Sequence, residues 1–404
     1  MLSIIFYFQV HQPRRLSHYR VLDIGDSQSY FDDNLDRKIT NKVSEKCYLR
    51  ANRLLLELIN QFEGRFKIAY SVTGAFIEQV RQFRPDVLDS FRDLAETGCV
   101  EFIGETYYHS LSCLFDEAEF IEQVNLHSKL MRDEFNYNPV TFRNTELIYS
   151  DRIADMVAQL PRFKTILSEG ADKVLHWRSP LYAYKTHRGK QLMLLKYYSL
   201  ADDIAFRFSD KKWAGYPLTV DKFASWVEKL PLIEKQGRNL YLNLFMDYET
   251  FGEHQWEDTG IFEFIRHFPG QILKNDFIKF CNPRDVQADI NYEPACLSIQ
   301  QPISWADTER DLSAWLSNPM QYNAINTFHN VLSKVKQSGR KDLLDITRRL
   351  STSDLYYYMC TKYFNDGDVH KYFSPYSKPE DAYIYFVNVL ADLEKRLEEE
   401  AVLQ

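Results

Sequence analysis

The sequence predicts an α/β protein in which a parallel sheet closes, or nearly closes, into a barrel and an α-helical domain follows. Strand and helix patterns alternate through the N-terminal two thirds; the first strand candidate is apolar nearly throughout; and strand signals fade after about residue 300. Alternation of that length builds a parallel sheet. Seven or so strands in about 290 residues suit a barrel better than an open sheet, and the residues after each strand then form the rim where chemistry takes place.

Residues 2–10 (LSIIFYFQV) are β-branched and aromatic, as in a strand buried on both faces. Residues 41–62 read as a helix, with Ala51, Leu54, Leu55, Leu58 and Phe62 on one stripe and Gly64 as the stop. FKIAYSVTG is a strand ending at Gly74, 85–97 a helix, and VEFIGE (100–105) a strand. Asp116 and Glu119 have capping-box spacing and open a helix to about residue 135. A strand over 139–145 ends at Glu146; 151–160 is helical and FKTILSE (163–169) extended. Residues 181–198 form two alternating runs around His187-Arg188-Gly189-Lys190, a hairpin on the rim. A helix near 219–230 leads to the strand NLYLNLFMD (239–247), and 259–268 is helical. Helices are then expected at Trp305–Trp315, Tyr322–Lys336, Asp342–Leu350, Asp354–Phe364 and Pro379–Glu400. The division is a catalytic barrel over 1–290 and a helical domain over 291–404 that contributes to the cleft, joined through 281–304. The closing LEKRLEEEA is a solvated helix end.

With 404 residues the chain can bury one large core and a smaller one. Aromatics reach 15%, mostly Tyr and Phe. Aromatic faces stack on the C–H surfaces of sugars, although on composition alone large aromatic cores are the simpler account of the excess. A net charge of −8 and the absence of a long Lys/Arg run argue against nucleic acid and suit a neutral substrate. The six cysteines include no Cys-x-x-Cys pair and read as free thiols in a reducing compartment. MLSIIFYFQVHQP lacks a basic leader region, and no stretch of about 18 apolar residues occurs, so a cytoplasmic protein with no membrane span is expected. Oligomeric state is not legible.

Polar residues gather where strands should end: His11 and Gln12; Glu105, Tyr107, Tyr108 and His109; Arg143, Asn144 and Glu146; Asp247, Glu249 and His254. Glycoside cleavage needs one carboxyl group to protonate the leaving oxygen and another to attack the anomeric carbon or activate water. Asp247 follows the apolar Leu244-Phe245-Met246, where desolvation raises a carboxyl pKa; Glu146, near Arg143, is better placed to stay ionised. Either one alone also reads as a cap for the next helix, and His11 alone as a structural histidine. Convergence of four polar strand ends favours a site. No His-x-His or His-Glu-x-x-His spacing points to a metal, and no cofactor is expected.

Five ordered segments resemble the short conserved regions of glycoside hydrolase family 57, in its α-amylase or α-amylase-like subgroup: FQVHQP with His11, VEFIGETYYHSL with His109, FRNTELIYS with Glu146, FMDYETFGEHQW with Asp247, and TSDLYYYMCTKYF with Asp354. SWADTERDLSAWLSN (304–318) is similar to the same subgroup. The resemblance implies an incomplete (β/α)7 TIM-like barrel, a C-terminal helical bundle, and retaining hydrolysis of α-1,4-glucans or maltooligosaccharides without metal in the catalytic step. It implies Glu146 as nucleophile and Asp247 as general acid/base. His11, Gln12, Glu105, His109, Arg143, Glu249, His254, Trp256, Asp354 and Tyr357 are then the expected substrate-binding residues. Leu355 departs from a histidine of close amylase-type members and Tyr357 from a tryptophan of some glucanotransferases; both changes bear on sugar subsites. Three alternatives stay open: a 4-α-glucanotransferase or branching enzyme using the same carboxylates, a non-catalytic glucan-binding protein, and a metal-dependent deacetylase or mannosidase with His11 and Asp247 as ligands.

Overall fold

The computed structural model describes residues 1–234, 237–362 and 374–401. Strand β1 (Leu2–Val10) is buried at every position. Leu2, Ile4, Phe6, Phe8 and Val10 pack against the surrounding helices, while Ile5 and Tyr7 join Ala69, Ile103, Leu167, Leu194 and Phe245 inside the barrel. A parallel strand covered on both faces needs such a nearly continuous apolar run, broken here only by the buried Ser3 and Gln9.

The sheet continues through β2 (Ile68–Val72), β3 (Val100–Phe102), β4 (Thr141–Arg143), β5 (Thr165–Glu169), β6 (Tyr184–Thr186), β7 (Leu192–Lys196), β8 (Leu240–Asp247), β9 (Ile278–Phe280) and β10 (Cys296–Leu297). Parallel pairing runs from β8 through β1 and β2 to β3, and from β4 through β5 and β7 to β8. Two seams are thin. β7 meets β8 at one residue pair, Lys196 with Asn243. β3 meets β4 at a bridge between Gly104 and Phe142, where the Gly104 N–H donates to Thr141 O and the Arg143 N–H to Gly104 O, both at 2.9 Å. A Cβ on Gly104 would lie 2.6 Å from the Phe163 ring, so glycine permits this approach. The ring is the incomplete TIM-like barrel expected from the resemblance. β6 forms the expected antiparallel hairpin with β7, and β9 and β10 flank β1 and β6.

Several helices differ from the sequence reading. The first starts at Asp33 and passes through a π-helical turn, Ser44–Tyr48, into Leu49–Gln61. A further helix, absent from the expected elements, spans Gly74–Phe83; the Thr73 hydroxyl caps it by accepting from the Phe76 N–H. Asp116 does cap the helix Glu117–Phe135, accepting from the Glu119 N–H at 2.9 Å. The Glu119 carboxylate does not complete a capping box, because it turns to Arg348 and Lys336.

The C-terminal region contains the helices Pro319–Ser338, Lys341–Arg349, Ser353–Tyr357 and Pro379–Ala401. The helix expected at Trp305–Trp315 is absent; the segment is an irregular loop. Its short polar side chains capture the backbone: the Ser304 hydroxyl donates to Asp311 O, and the Ser313 N–H and hydroxyl donate to the Asp311 carboxylate. Asp307 and Arg310 adopt φ of 55° and 49°. Such side-chain bonds compete with helical ones. The helix read as Asp354–Phe364 is the short Ser353–Tyr357, and Tyr363 and Phe364 lie outside the described residues. Among the described residues no helix is long and apolar enough to cross a membrane, and the six cysteines are unpaired.

Barrel and helical region share one core in which Phe142, Ile166 and Met193 pack with Phe328, Tyr356 and Phe386. A polar clamp reinforces it. Glu119, fully buried, accepts from Arg348 Nε at 2.8 Å and lies 2.8 Å from Lys336 Nζ. Glu119→Gln removes the buried carboxylate shared by both cations and leaves Arg348 only Glu122 and Lys336 only Asp116, so unfolding in urea should require about 2 kcal/mol less free energy. An unchanged urea midpoint would show that the clamp contributes nothing.

Candidate active site

The C-terminal ends of the parallel strands open into a cavity of about 520 Å³. His11, Gln12, His109, Glu146, Asp247, Glu249, His254, Asp354 and Tyr357 all line it. The register explains part of this convergence: Asp247 at the end of β8 lies beside Gln9 of β1, two residues before His11. The helical region brings Ser353, Asp354 and Tyr357 to the same cavity.

Glu146 sits in the turn Thr145–Leu147 after β4, at φ 58° and ψ 25°. The left-handed region is costly for a residue with a Cβ and marks sites held by their surroundings. His109, at φ 54°, is held in the same region. Both carboxylate oxygens of Glu146 are engaged: Oε1 with His109 Nε2 at 2.9 Å and the Ser353 hydroxyl at 3.4 Å, Oε2 with the Trp305 indole N–H at 2.7 Å. Burial pushes the Glu146 pKa up, but the His109 hydrogen bond and charge, the Arg143 charge and Trp305 bring it below the ordinary value.

Burial disfavours a charge on His109, yet bonds to Glu105 and Glu146 outweigh it and raise its pKa to about 9. Its imidazolium therefore donates from both nitrogens, to Glu105 at 3.2 Å and Glu146 at 2.9 Å. His11 stacks on it at 4.2 Å; burial and this neighbouring positive charge lower the His11 pKa. His11 Nδ1 meets the Thr73 hydroxyl at 2.8 Å and Nε2 meets Asp354 at 2.9 Å. Burial pushes Asp354 up, while His11, His109 and Thr352 hold it well below the usual carboxylate range.

Asp247 differs. Among the described residues nothing donates a hydrogen bond to its carboxylate, and burial followed by the Glu146 charge raises its pKa to about 6. The third carboxyl group, Glu249, is raised to about 8 by burial and by Asp247; it accepts from the Tyr48 hydroxyl. Burial lowers His254 to about 4.

Three expected substrate contacts lie elsewhere. Glu105 and Arg143 are wholly buried beneath the cavity and do not line it. The Arg143 guanidinium lies 3.6 Å from Glu105 and 5.0 Å from the Trp305 ring centre, and among the described residues its nitrogens take no hydrogen-bond partner. These two groups act on the cavity through charge. Trp256 is 57% exposed outside the cavity, its indole donating to Glu253 O. Of the two departures, Tyr357 lines the cavity and Leu355 is buried in the core.

Sequence reasoning missed Trp305, Lys196, Asp202 and Arg310, which also line the cavity, and Glu169 beneath them. Lys196 bonds Asp202 at 2.9 Å, and Arg310 reaches Glu169 at 3.4 Å. Glu169 and Lys196 end β5 and β7, so the strand-end criterion that selected Glu146 and Asp247 could have found them. Nothing local marks Trp305. Among the described residues no three His, Cys, Asp or Glu side chains gather as a metal-binding group.

A family model, glycosyl hydrolase family 57, matches residues 5–300. A Methanocaldococcus jannaschii protein named "Putative alpha-amylase" is 42% identical over 408 residues, covering 98% of this chain and 85% of its own length. Among solved structures, a GH57-type branching enzyme from Pyrococcus horikoshii has a TM-score of 0.69 at 14% identity, over 98% of this chain and 94% of its own. An α-amylase from Thermotoga maritima has a TM-score of 0.63 at 12% identity, over 99% and 93%. At these identities the structural likeness concerns the fold.

Proposed function

The chain belongs to glycosyl hydrolase family 57, and from that premise we propose that it is a retaining, α-amylase-type glycosidase acting on α-1,4-glucans by double displacement. Enzymes of this family act on glucans. One observation carries the finer reading: two carboxyl groups border one cavity with their pKa values displaced in opposite directions. Glu146 is hydrogen-bonded on both oxygens and held ionised; Asp247 accepts no hydrogen bond among the described residues and is raised to about 6. Divergent pKa values in a carboxyl pair separate nucleophile from acid, and the cavity has the size of a small-ligand site.

In the first step a Glu146 oxygen attacks the anomeric carbon. The glycosidic bond breaks, its electron pair leaves with the oxygen, and Asp247 protonates that oxygen. In the second step Asp247, now ionised, takes a proton from water as the water oxygen displaces Glu146. Two inversions restore the starting configuration. His11, Gln12, Glu249, His254, Asp354 and Tyr357 are placed to hold sugar hydroxyls, while Glu105, His109 and Arg143 serve the charge balance of Glu146. In this reading the barrel region, 1–290, supplies both carboxyl groups and the helical region, 291–404, supplies part of the sugar site.

The test is incubation with maltooligosaccharides, following products by NMR before mutarotation. Shortened chains with new α-anomeric reducing ends are expected. New β ends would mean inversion and overturn the proposed mechanism. Chains longer than the substrate would mean transfer, and binding without products a non-catalytic protein.

A further inference from the structure

Trp305 lies on the loop 304–318 but is tied to the barrel at Glu146 by both backbone and side chain. Its backbone N–H donates to Glu146 O at 3.2 Å, and its indole N–H to Oε2 at 2.7 Å. The backbone bond helps hold the Thr145–Leu147 turn, in which Glu146 and Leu147 both have positive φ. The indole ring is engaged as well: Arg143 and Lys196 stand over it at 5.0 and 5.4 Å from its centre. Two buried cations already stand over the ring, and its N–H is given to the carboxylate rather than left for a sugar hydroxyl.

We propose that Trp305 is a positioning residue for Glu146: its indole N–H fixes the orientation of the carboxylate and keeps it ionised, and stacking a sugar is not its main role. The inference rests on Glu146 being the nucleophile. The two oxygens divide the work. Oε1 is held by His109 and Ser353 from one side, and Oε2 by Trp305 from the other. When water releases the sugar, the bond between carboxylate oxygen and anomeric carbon breaks, its electron pair returns to Glu146, and the indole N–H stabilises the returning charge.

The cleanest variant replaces Trp305 with 3-benzothienylalanine, which keeps the bicycle and lacks the N–H; Trp305→Phe is the second. Hydrogen bonds to charged groups are the strong ones, so kcat on maltooligosaccharides should fall about tenfold to a hundredfold while KM stays within about threefold. The acidic limb of kcat/KM should move to higher pH by about one unit, because the ionised form has lost a donor. The thermal midpoint of the benzothienyl protein should be nearly unchanged. An acidic limb that stays in place, or a loss confined to KM, makes Trp305 a sugar platform and overturns the proposal. Wild-type turnover by Glu146→Gln would instead sink the nucleophile reading, whatever the Trp305 variants do.

Discussion

Glu146→Gln should lower kcat on maltooligosaccharides by about 10⁴-fold or more, the cost of losing an activated nucleophile, while affinity for the sugar stays within a few-fold. Glutamine fills the same volume but has no anionic oxygen to attack with. The variant also carries a diagnostic side effect. His109 and Trp305 both present N–H groups to the carboxylate, so the glutamine amide can accept from one and must turn its own N–H₂ toward the other. The simplest relief is for His109 to lose its second proton, because the bond to Glu146 is among the causes that raise its pKa to about 9. The titration of His109, followed by NMR of labelled histidine, should therefore move toward neutral pH. Turnover within tenfold of the parent enzyme would show that Glu146 is not the nucleophile.

Asp247→Ala should cost about 10²- to 10⁴-fold in kcat on natural glucans, the usual contribution of a general acid. The loss should shrink on glycosides with acidic leaving groups, which depart without protonation. Azide should restore turnover by entering the space left by the carboxylate, and the product should be an α-glycosyl azide, since azide attacks a covalent glycosyl-enzyme from the side opposite Glu146. The pH profile supplies an independent check. Asp247 works as an acid only while protonated, and its pKa is raised to about 6. In the parent enzyme kcat/KM should therefore fall as pH rises through about 6. Glu146 must be ionised, and its pKa is held below the ordinary value, so the acidic fall should come only beneath the usual carboxylate range. Asp247→Ala should abolish the basic limb and keep the acidic one. A basic limb that survives the substitution would assign it to another group, with Glu249, raised to about 8, the first candidate.

Much of the barrel was legible because its signals are local. Each strand of the ring is covered on both faces, so β1 and β8 stand out as apolar runs, and the polar residue that ends each run marks the rim. The helix Gly74–Phe83 was not legible, because β2 runs into its Thr73 cap with no loop between them, and Thr73-Gly74 reads equally as the end of a strand. The error at Trp305–Trp315 has the opposite cause. Its residues are tolerable helix formers, and what unmakes the helix is a set of serine and aspartate bonds to the backbone, joined by positive φ at Asp307 and Arg310.

The same distinction divides the site. Residue type and order along the chain determined which carboxyl groups stand at strand ends, and that Asp247 follows an apolar stretch while Glu146 follows a polar one. Tertiary structure decided what each group touches. His109 becomes an imidazolium through two carboxylates, one of them 37 residues away; Glu146 is held by Trp305, 159 residues on; and His11 meets Asp354 across 343 residues. Period and polarity are properties of neighbouring residues and survive in one dimension. Hydrogen bonds and charge coupling act over a few ångströms of space, and only the closed barrel with its helical cover sets those distances.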